Sequence, residues 1–292
     1  MIFDKIKIKL KKRLEAEIYC RSEILYSKIL KHLPERHGTK EKSNVIISLT
    51  SYPDRFNQIY LCIKSLMYQT VKPQKIILWL GSDSKNFPIT PEMEKLKKYG
   101  LEIVYRDENL KPHNKYYYAF KEFPESIVIT ADDDLIYSPF TVSSLLKGHK
   151  KHPDAVCARR VHGIKFEEGK IAKYNSWDNE CKTKKDPSFK LVATGCGGVL
   201  YPPHSVNERV LDKKAIFENA LNQDDLWLKF METIQGTKVY WCKCMWVHPI
   251  TIPGNPPGLA ATNTLGKCEN DICIKKLSDM FPDAVKIMEN KE

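Results

Sequence analysis

The run IVITADDDLIY at residues 127–137 constrains the fold more than any other stretch of this 292-residue chain. Ile127, Val128 and Ile129 form a short apolar run, the pattern of a strand buried on both faces. It leads directly into three carboxylates, Asp132, Asp133 and Asp134. Adjacent carboxylates repel one another, and a compact site tolerates them only with a cation or hydrogen-bond donors alongside. The period of two along a strand predicts that Asp132 and Asp134 project to one side and Asp133 to the other. Two carboxylates converging at the carboxyl end of a strand suit Mg²⁺ or Mn²⁺ carrying a phosphate. An acidic surface turn explains the same three letters, so the surrounding pattern has to decide.

That pattern is an alternation of strands and helices from Asn44 onward. Residues 45–52, VIISLTSY, predict a buried strand ending in a turn at Pro53-Asp54. A helix follows with Ile59, Ile63, Leu66 and Met67 on one face and Asp54 as candidate cap. Residues 75–84 predict a second buried strand, stopped by Gly81, and residues 101–109 a third. Residues 115–123, KYYYAFKEF, predict a helix that leads to the fourth strand at 127–130. Alternation at this spacing implies right-handed crossovers and a mostly parallel sheet, with ligands at the carboxyl ends of its strands. The second half differs: a glycine cluster in KLVATGCGGVLYPP, a helix around NQDDLWLKFME, a strand KVYWCKCMWVH and a Pro/Gly-rich stretch, TIPGNPPG. The first half reads as a nucleotide-binding module and the second as a substrate-binding face of one continuous domain.

Composition narrows the class. An apolar fraction of 42% argues against disorder. No segment approaches the roughly 18 uncharged apolar residues of a membrane span, and the charged N-terminus lacks a signal peptide's apolar core. Nine cysteines scattered singly do not form a disulfide framework and point to a reducing cytosol. Cys242, Cys244, Cys268 and Cys273 match zinc spacings poorly. Of the net charge of +11, residues 1–40 hold +6, from eleven Lys/Arg against five Asp/Glu. There Lys and Ile alternate, then Leu14, Ile18, Leu25 and Ile29 follow at roughly helical spacing. Such a basic amphipathic segment fits an anionic membrane surface, and equally a solvated helix packed on the domain. Nucleic acid is not expected, because the basic residues are not interleaved with aromatics.

Over residues 44–250 the chain resembles a GT-A fold glycosyltransferase of the family-2-like type that builds bacterial surface polysaccharides. SLTSYPDRFNQIYLCIKSLMYQTVKPQKIILWL is similar to that family's first strand, helix and second strand. TADDD resembles its DxD motif, and QDDLW its "ED" motif before the acceptor-side helix. The resemblance implies a Rossmann-like nucleotide-diphospho-sugar fold with a nucleotide half at 44–137 and an acceptor half at 138–270. Residues 1–40 would form a basic helical segment and 271–292 a helical tail. It implies Mn²⁺ or Mg²⁺ on Asp134 with Asp132, and a late metal ligand at His248, with a simply structural histidine as the alternative. Asp132 or Asp133 would contact the donor ribose, while Asp83, Thr50, Ser51 and Tyr52 would face the nucleobase. Arg55 and Lys115 are candidates for the base or diphosphate, with surface charge as the alternative.

An acceptor alcohol needs a base to become a good nucleophile. The resemblance implies Asp225, with Asp224 in place of the commoner Glu. Their place at a helix start would be favoured by the helix dipole alone. Gly197 and Gly198, in the cluster at 195–198, would let backbone lie against a sugar ring. Trp227 is a candidate acceptor-side platform, against ordinary core packing. Residues 250–267 would close over the donor or form a simple surface loop. The expected activity is metal-dependent, inverting transfer from a nucleotide-diphospho-sugar, UDP-sugar favoured, to a glycan or lipid-linked acceptor. Its expected place is the cytoplasm, peripheral to the inner membrane face. A metal-dependent nucleotidyl- or phosphotransferase is the rival enzyme, and a non-catalytic carbohydrate-binding relative the rival without chemistry.

Overall fold

The computed structural model describes residues 25, 28–243, 250–252 and 268–290. Four parallel strands make one side of a seven-stranded sheet: β1 (Val45–Ser51), β2 (Lys75–Leu80), β3 (Leu101–Tyr105) and β4 (Ile127–Ala131). Three further strands complete it, β5 (Val156–Ala158), β6 (Val199–Tyr201) and β7 (Val239–Trp241). The order across the sheet is β7-β5-β6-β4-β1-β2-β3. Only β6 runs against its neighbours β4 and β5. The mixed but mostly parallel α/β architecture expected from the alternation is present.

The apolar runs serve both faces of the sheet. Along β1, Val45, Ile47 and Leu49 join one buried cluster and Ile46 the other, as the two-residue period requires. The first cluster is covered by helices α1 (Phe56–Met67), α2 (Pro91–Lys97) and α4 (Thr141–Lys151). The second is covered by α3 (Asn114–Glu122), α5 (Lys213–Asn219) and α6 (Asp224–Gln235). Two more helices, α7 (Glu269–Met280) and α8 (Pro282–Asn290), bury Leu277, Phe281 and Met288 in that same cluster.

Three local expectations change. Asp54 caps no helix: a 3-10 turn at Pro53–Arg55 intervenes and α1 starts only at Phe56. The second and third strands end at Leu80 and Tyr105, well short of Ser84 and Asn109, with a 3-10 turn following Gly81. The fourth strand ends at Ala131, so residues 132–134 form a turn and the strict alternation stops before them.

The basic N-terminal segment lies outside the described residues for nearly all its length. Where it is described, Leu25 and Ile29 are 60% and 46% exposed while Leu30 is buried. Among the described residues no helix is long and apolar enough to cross a membrane.

Candidate active site

The acid turn sits at the carboxyl ends of the parallel strands, where β4 gives out beside β1. Asp133 turns inward. Ser51, the last residue of β1, donates to its Oδ2, and the Arg55 guanidinium bonds its Oδ1. Arg55 also stands 3.2 Å from Asp134 Oδ2. Its Nε donates to the Tyr52 hydroxyl at 3.2 Å, and its guanidinium lies over the Tyr52 ring. Burial works against the Arg55 charge, yet Asp133 and Asp134 hold its pKa above the usual value. Burial raises the Asp133 carboxyl in turn, with Arg55 and Ser51 opposing the rise.

The side chains of Asp132 and Asp134 remain 29% and 26% exposed. Burial, then the neighbouring Asp132, pushes the Asp134 carboxyl up to about 6, the mark of negative charge that is only partly offset. Asp132 Oδ1 accepts from Lys115 Nζ at 2.7 Å. The same ammonium stands 2.8 Å from Asp224 Oδ2. One lysine in the first turn of α3 therefore ties the acid turn to the start of α6, some ninety residues away. Burial disfavours the Lys115 charge, but Asp132 and Asp224 keep it well above its usual pKa. Asp224 is buried as well, and Lys115 and His113 hold its carboxyl below the usual value against that burial.

Asp225 faces the other way. It is half-buried and accepts the Gly195 backbone N–H on both oxygens, at 3.1 and 3.3 Å. Burial and the adjacent Asp224 charge raise its carboxyl well above the ordinary range. A part-exposed carboxyl of high proton affinity, fixed by a backbone N–H, has the property a general base needs.

His113 explains how the two elements are held. Its Nε2–H donates to the Ala220 carbonyl at 2.8 Å, and its Nδ1 accepts from the Tyr116 hydroxyl at 2.6 Å. The ring thus staples the residues just before Lys115 to those just before Asp224. Around Asp225 lie Tyr174, Cys196 and Arg160. Burial and the Asp225 charge push the Tyr174 hydroxyl up to about 12. Burial and Asp132 push the Cys196 thiol to about 12. Arg160 donates to Glu180 at 3.3 Å and to Thr194 at 3.2 Å.

The structure thus brings Ser51, Tyr52, Arg55, Asp133 and Asp134 together, and Lys115, Asp132, Asp224 and Asp225 beside them. Neither Arg55 nor Lys115 is a surface charge. Thr50 turns to β2 and donates to the Trp79 carbonyl at 2.8 Å. Asp83 is exposed at the end of β2, accepting from Asn109 at 2.6 Å, and bonds to neither cluster. His248 lies outside the described residues, although Ile252 donates to the Asp134 carbonyl at 2.9 Å. The loop at 253–267 lies outside them too.

Several expectations need correction. Trp227 is fully buried, its indole N–H bonded to the Val210 carbonyl at 3.2 Å and its ring against Phe281, so it cannot stack on a sugar. It occupies the inward face of α6. Asp133 is buried with Ser51 on one oxygen and Arg55 on the other, whereas the side chains of Asp132 and Asp134 are part-exposed. Gly197 and Gly198 do not face the acids: a Cβ on Gly197 would meet the Arg160 backbone nitrogen at 2.9 Å, and Gly198 has φ +82°. Gly195 is the one that does, since its Cβ would lie 2.7 Å from Asp132 Oδ1 and 3.0 Å from Lys115 Nζ. Gly195 belongs to the glycine cluster at 195–198 that the sequence marks for close backbone approach, whereas His113, Tyr174 and Arg160 carry no such signal.

Among the described residues no group of three or more His, Cys, Asp or Glu is arranged to hold a metal, and the described cysteines are free. The pair Asp132 and Asp134 nevertheless suits a divalent cation, because both carboxylates are part-exposed and the Asp134 charge is disfavoured as it stands.

The family model for glycosyl transferase family 2 matches residues 47–201, more than half of the chain. The chain belongs to that family. It is a glycosyltransferase, and its mostly parallel α/β sheet is the GT-A fold. No curated protein matches the sequence. Solved structures similar to this glycosyltransferase include apo UDP-glucose pyrophosphorylase (9% identity, TM-score 0.39), covering 68% of this chain and 90% of that one. S. aureus TarS 1-349 (11%, TM-score 0.43) covers 85% and 74%. The mannosyltransferase PcManGT from Pyrobaculum calidifontis, in complex with GDP-Man and Mn²⁺, covers 94% and 82% (12%, TM-score 0.46). At these identities and scores the likeness does not reach to substrate.

Proposed function

We propose that this family-2 glycosyltransferase moves a sugar from a nucleotide-diphospho-sugar to a glycan or lipid-linked acceptor, with inversion and with Mn²⁺ or Mg²⁺. The observation that carries the reading is the double ion pair of Lys115, at 2.7 Å from Asp132 and 2.8 Å from Asp224. It sets a phosphate-side acid turn against a base-side helix start across one cleft. The donor occupies the half at 44–137, beside Asp132, Asp134 and the β1 end at Thr50–Tyr52, with Asp83 at the rim. The acceptor occupies the half at 138–270, against Gly195, Tyr174 and Arg160.

Asp225 is the base. It takes the proton from the acceptor hydroxyl as that oxygen bonds to the anomeric carbon. The bond from that carbon to the diphosphate oxygen breaks, and the nucleoside diphosphate leaves. Asp224 is the poorer candidate, because it is buried and held by Lys115. Asp132 and Asp134, with His248 as a further candidate, would hold the divalent cation, which supplies charge neutralisation of the leaving diphosphate. The acceptor reading places the protein in surface polysaccharide synthesis at the cytoplasmic membrane face. The basic composition of residues 1–40 supports that location.

Incubation with UDP-, GDP- and CMP-sugars and Mn²⁺ tests the reading. Release of nucleoside diphosphate from a UDP- or GDP-sugar is expected, with the UDP-sugar favoured. Asp225→Asn should lower that turnover about 10²-fold or more while donor binding survives. Pyrophosphate as product, or full turnover by that variant, would sink it.

A further inference from the structure

Lys115 is the only described residue whose side chain bridges the acid turn and the start of α6. Five carboxylates, Asp132, Asp133, Asp134, Asp224 and Asp225, converge here. The ion pairs that reach them come from two cations, Arg55 and Lys115. Arg55 is committed to the inward-facing Asp133. Lys115 instead occupies Asp132, one of the two part-exposed carboxylates suited to a divalent cation. Its ammonium and such a cation would compete for the same oxygen, and two positive charges a few ångströms apart repel. The lysine side chain suits a change of partner, being a point charge with three rotatable donors on a flexible stem. A second acceptor, Asp224, already stands 2.8 Å from it. Gly195 lies on the same spot, where an added Cβ would stand 3.0 Å from the ammonium, so that side offers no room for a larger residue.

We propose that Lys115 is a positioning residue that exchanges partners. It holds Asp132 while the site is empty and yields Asp132 to the divalent cation when that cation binds, with or without a donor. Its charge is then left on Asp224, beside the base Asp225. The acid cluster is thereby kept together before the donor binds, and cation loading is coupled to the setting of the base helix. This inference rests on the proposal that Asp132 and Asp134 hold the cation.

Calorimetric titration of the full chain with Mn²⁺ alone, at neutral pH, tests it. Lys115→Met should bind Mn²⁺ about tenfold more tightly or better, because the competing charge is gone, while sugar transfer falls. A lysine that does not compete with the cation at Asp132 would not tighten metal binding on removal. Asp224→Asn should act in the opposite sense, weakening Mn²⁺ binding several-fold by leaving Lys115 wholly on Asp132. This variant keeps the test open if Lys115→Met does not fold, since that change leaves the buried Asp224 and the part-exposed Asp132 without their cation. Unchanged or weaker Mn²⁺ binding by folded Lys115→Met, or tighter or unchanged binding by Asp224→Asn, overturns the exchange while leaving the metal reading intact. No Mn²⁺ binding by the wild type overturns both.

Discussion

Arg55 and Lys115 both neutralise the acid turn at residues 132–134, but they reach it from different distances along the chain. Arg55 comes from the turn just after β1, the strand paired with β4, so its bonds to Asp133 and Asp134 join near neighbours in the sheet. Lys115 joins Asp132 to Asp224, and these meet only when α3 and α6 have packed on the same face of the sheet. The Arg55 corner is closed: Ser51 and Tyr52 complete its hydrogen bonds and Asp133 is buried. The Lys115 corner is open on one side, with Asp132 part-exposed and the strongly perturbed Asp225 next to it. A buried ion pair repays its desolvation only where geometry and hydrogen bonding are complete. The Arg55 corner meets that condition and should carry stability. The Lys115 corner keeps like charges close, which costs stability, as the proposed role of Asp225 as base would require.

The sharpest way to break this contrast is to remove one group from each corner. Arg55→Met should lower unfolding free energy by about 3–5 kcal/mol, since it strands a buried carboxylate. Asp225→Asn should cost no stability, because it replaces a carboxyl whose charge is disfavoured with a neutral group of the same shape. Urea unfolding of the two variants reads both values. Equal destabilisation would show that the corners are not different in kind.

A somewhat smaller effect concerns the staple beneath the Lys115 corner. Burial pushes the His113 ring from 6.5 down to about 4, so its neutral form is the one the fold accepts. The unfolded chain therefore binds more protons than the native state between those values. The His113 contribution is intact above about 6.5 and is lost as the pH falls towards 4, by at most about 3 kcal/mol. The buried His162, also near 4, adds to the same slope. Replacing His113 with Gln should flatten the fall of the urea midpoint over that range. An identical slope in variant and wild type would remove the staple from the account.

The contrast also tracks what could be read from sequence. The β1–β4 half was legible because its signals are local: apolar runs of strand length, Gly81 after the second and an acid cluster after the fourth. The Asp224-Asp225 pair at a helix start was legible for the same reason. What stayed hidden depends on packing between distant segments. Nothing near Lys115 in sequence says that its ammonium reaches Asp224, nor near His113 that its ring reaches Ala220. Trp227 follows the acid pair by two residues, yet helical geometry turns it to the core while Asp225 faces the cleft. The glycine cluster was visible as a cluster. Which glycine opposes the acids is decided by the 3-10 turn at Gly195–Gly197, which packs on β4 and sets Gly195 beside Asp132.

That last point yields the smallest expected effect and a direct one. A methyl at Gly195 would fall 2.7 Å from Asp132 Oδ1 and 3.0 Å from Lys115 Nζ. Both atoms end flexible side chains, so they shift and the fold survives. On the proposed mechanism the displaced Asp132 would no longer sit where the cation and donor need it, and Gly195→Ala should lower turnover about tenfold with little change in unfolding free energy. At Gly198 the backbone itself is left-handed, with φ +82°, and Ala there should cost about 1–2 kcal/mol of stability. Turnover per folded molecule should change far less than at Gly195. If the two substitutions exchanged these signatures, the cleft would lie against the wrong end of the glycine cluster, and the opposition of Asp225 to the Lys115 corner would fall with it.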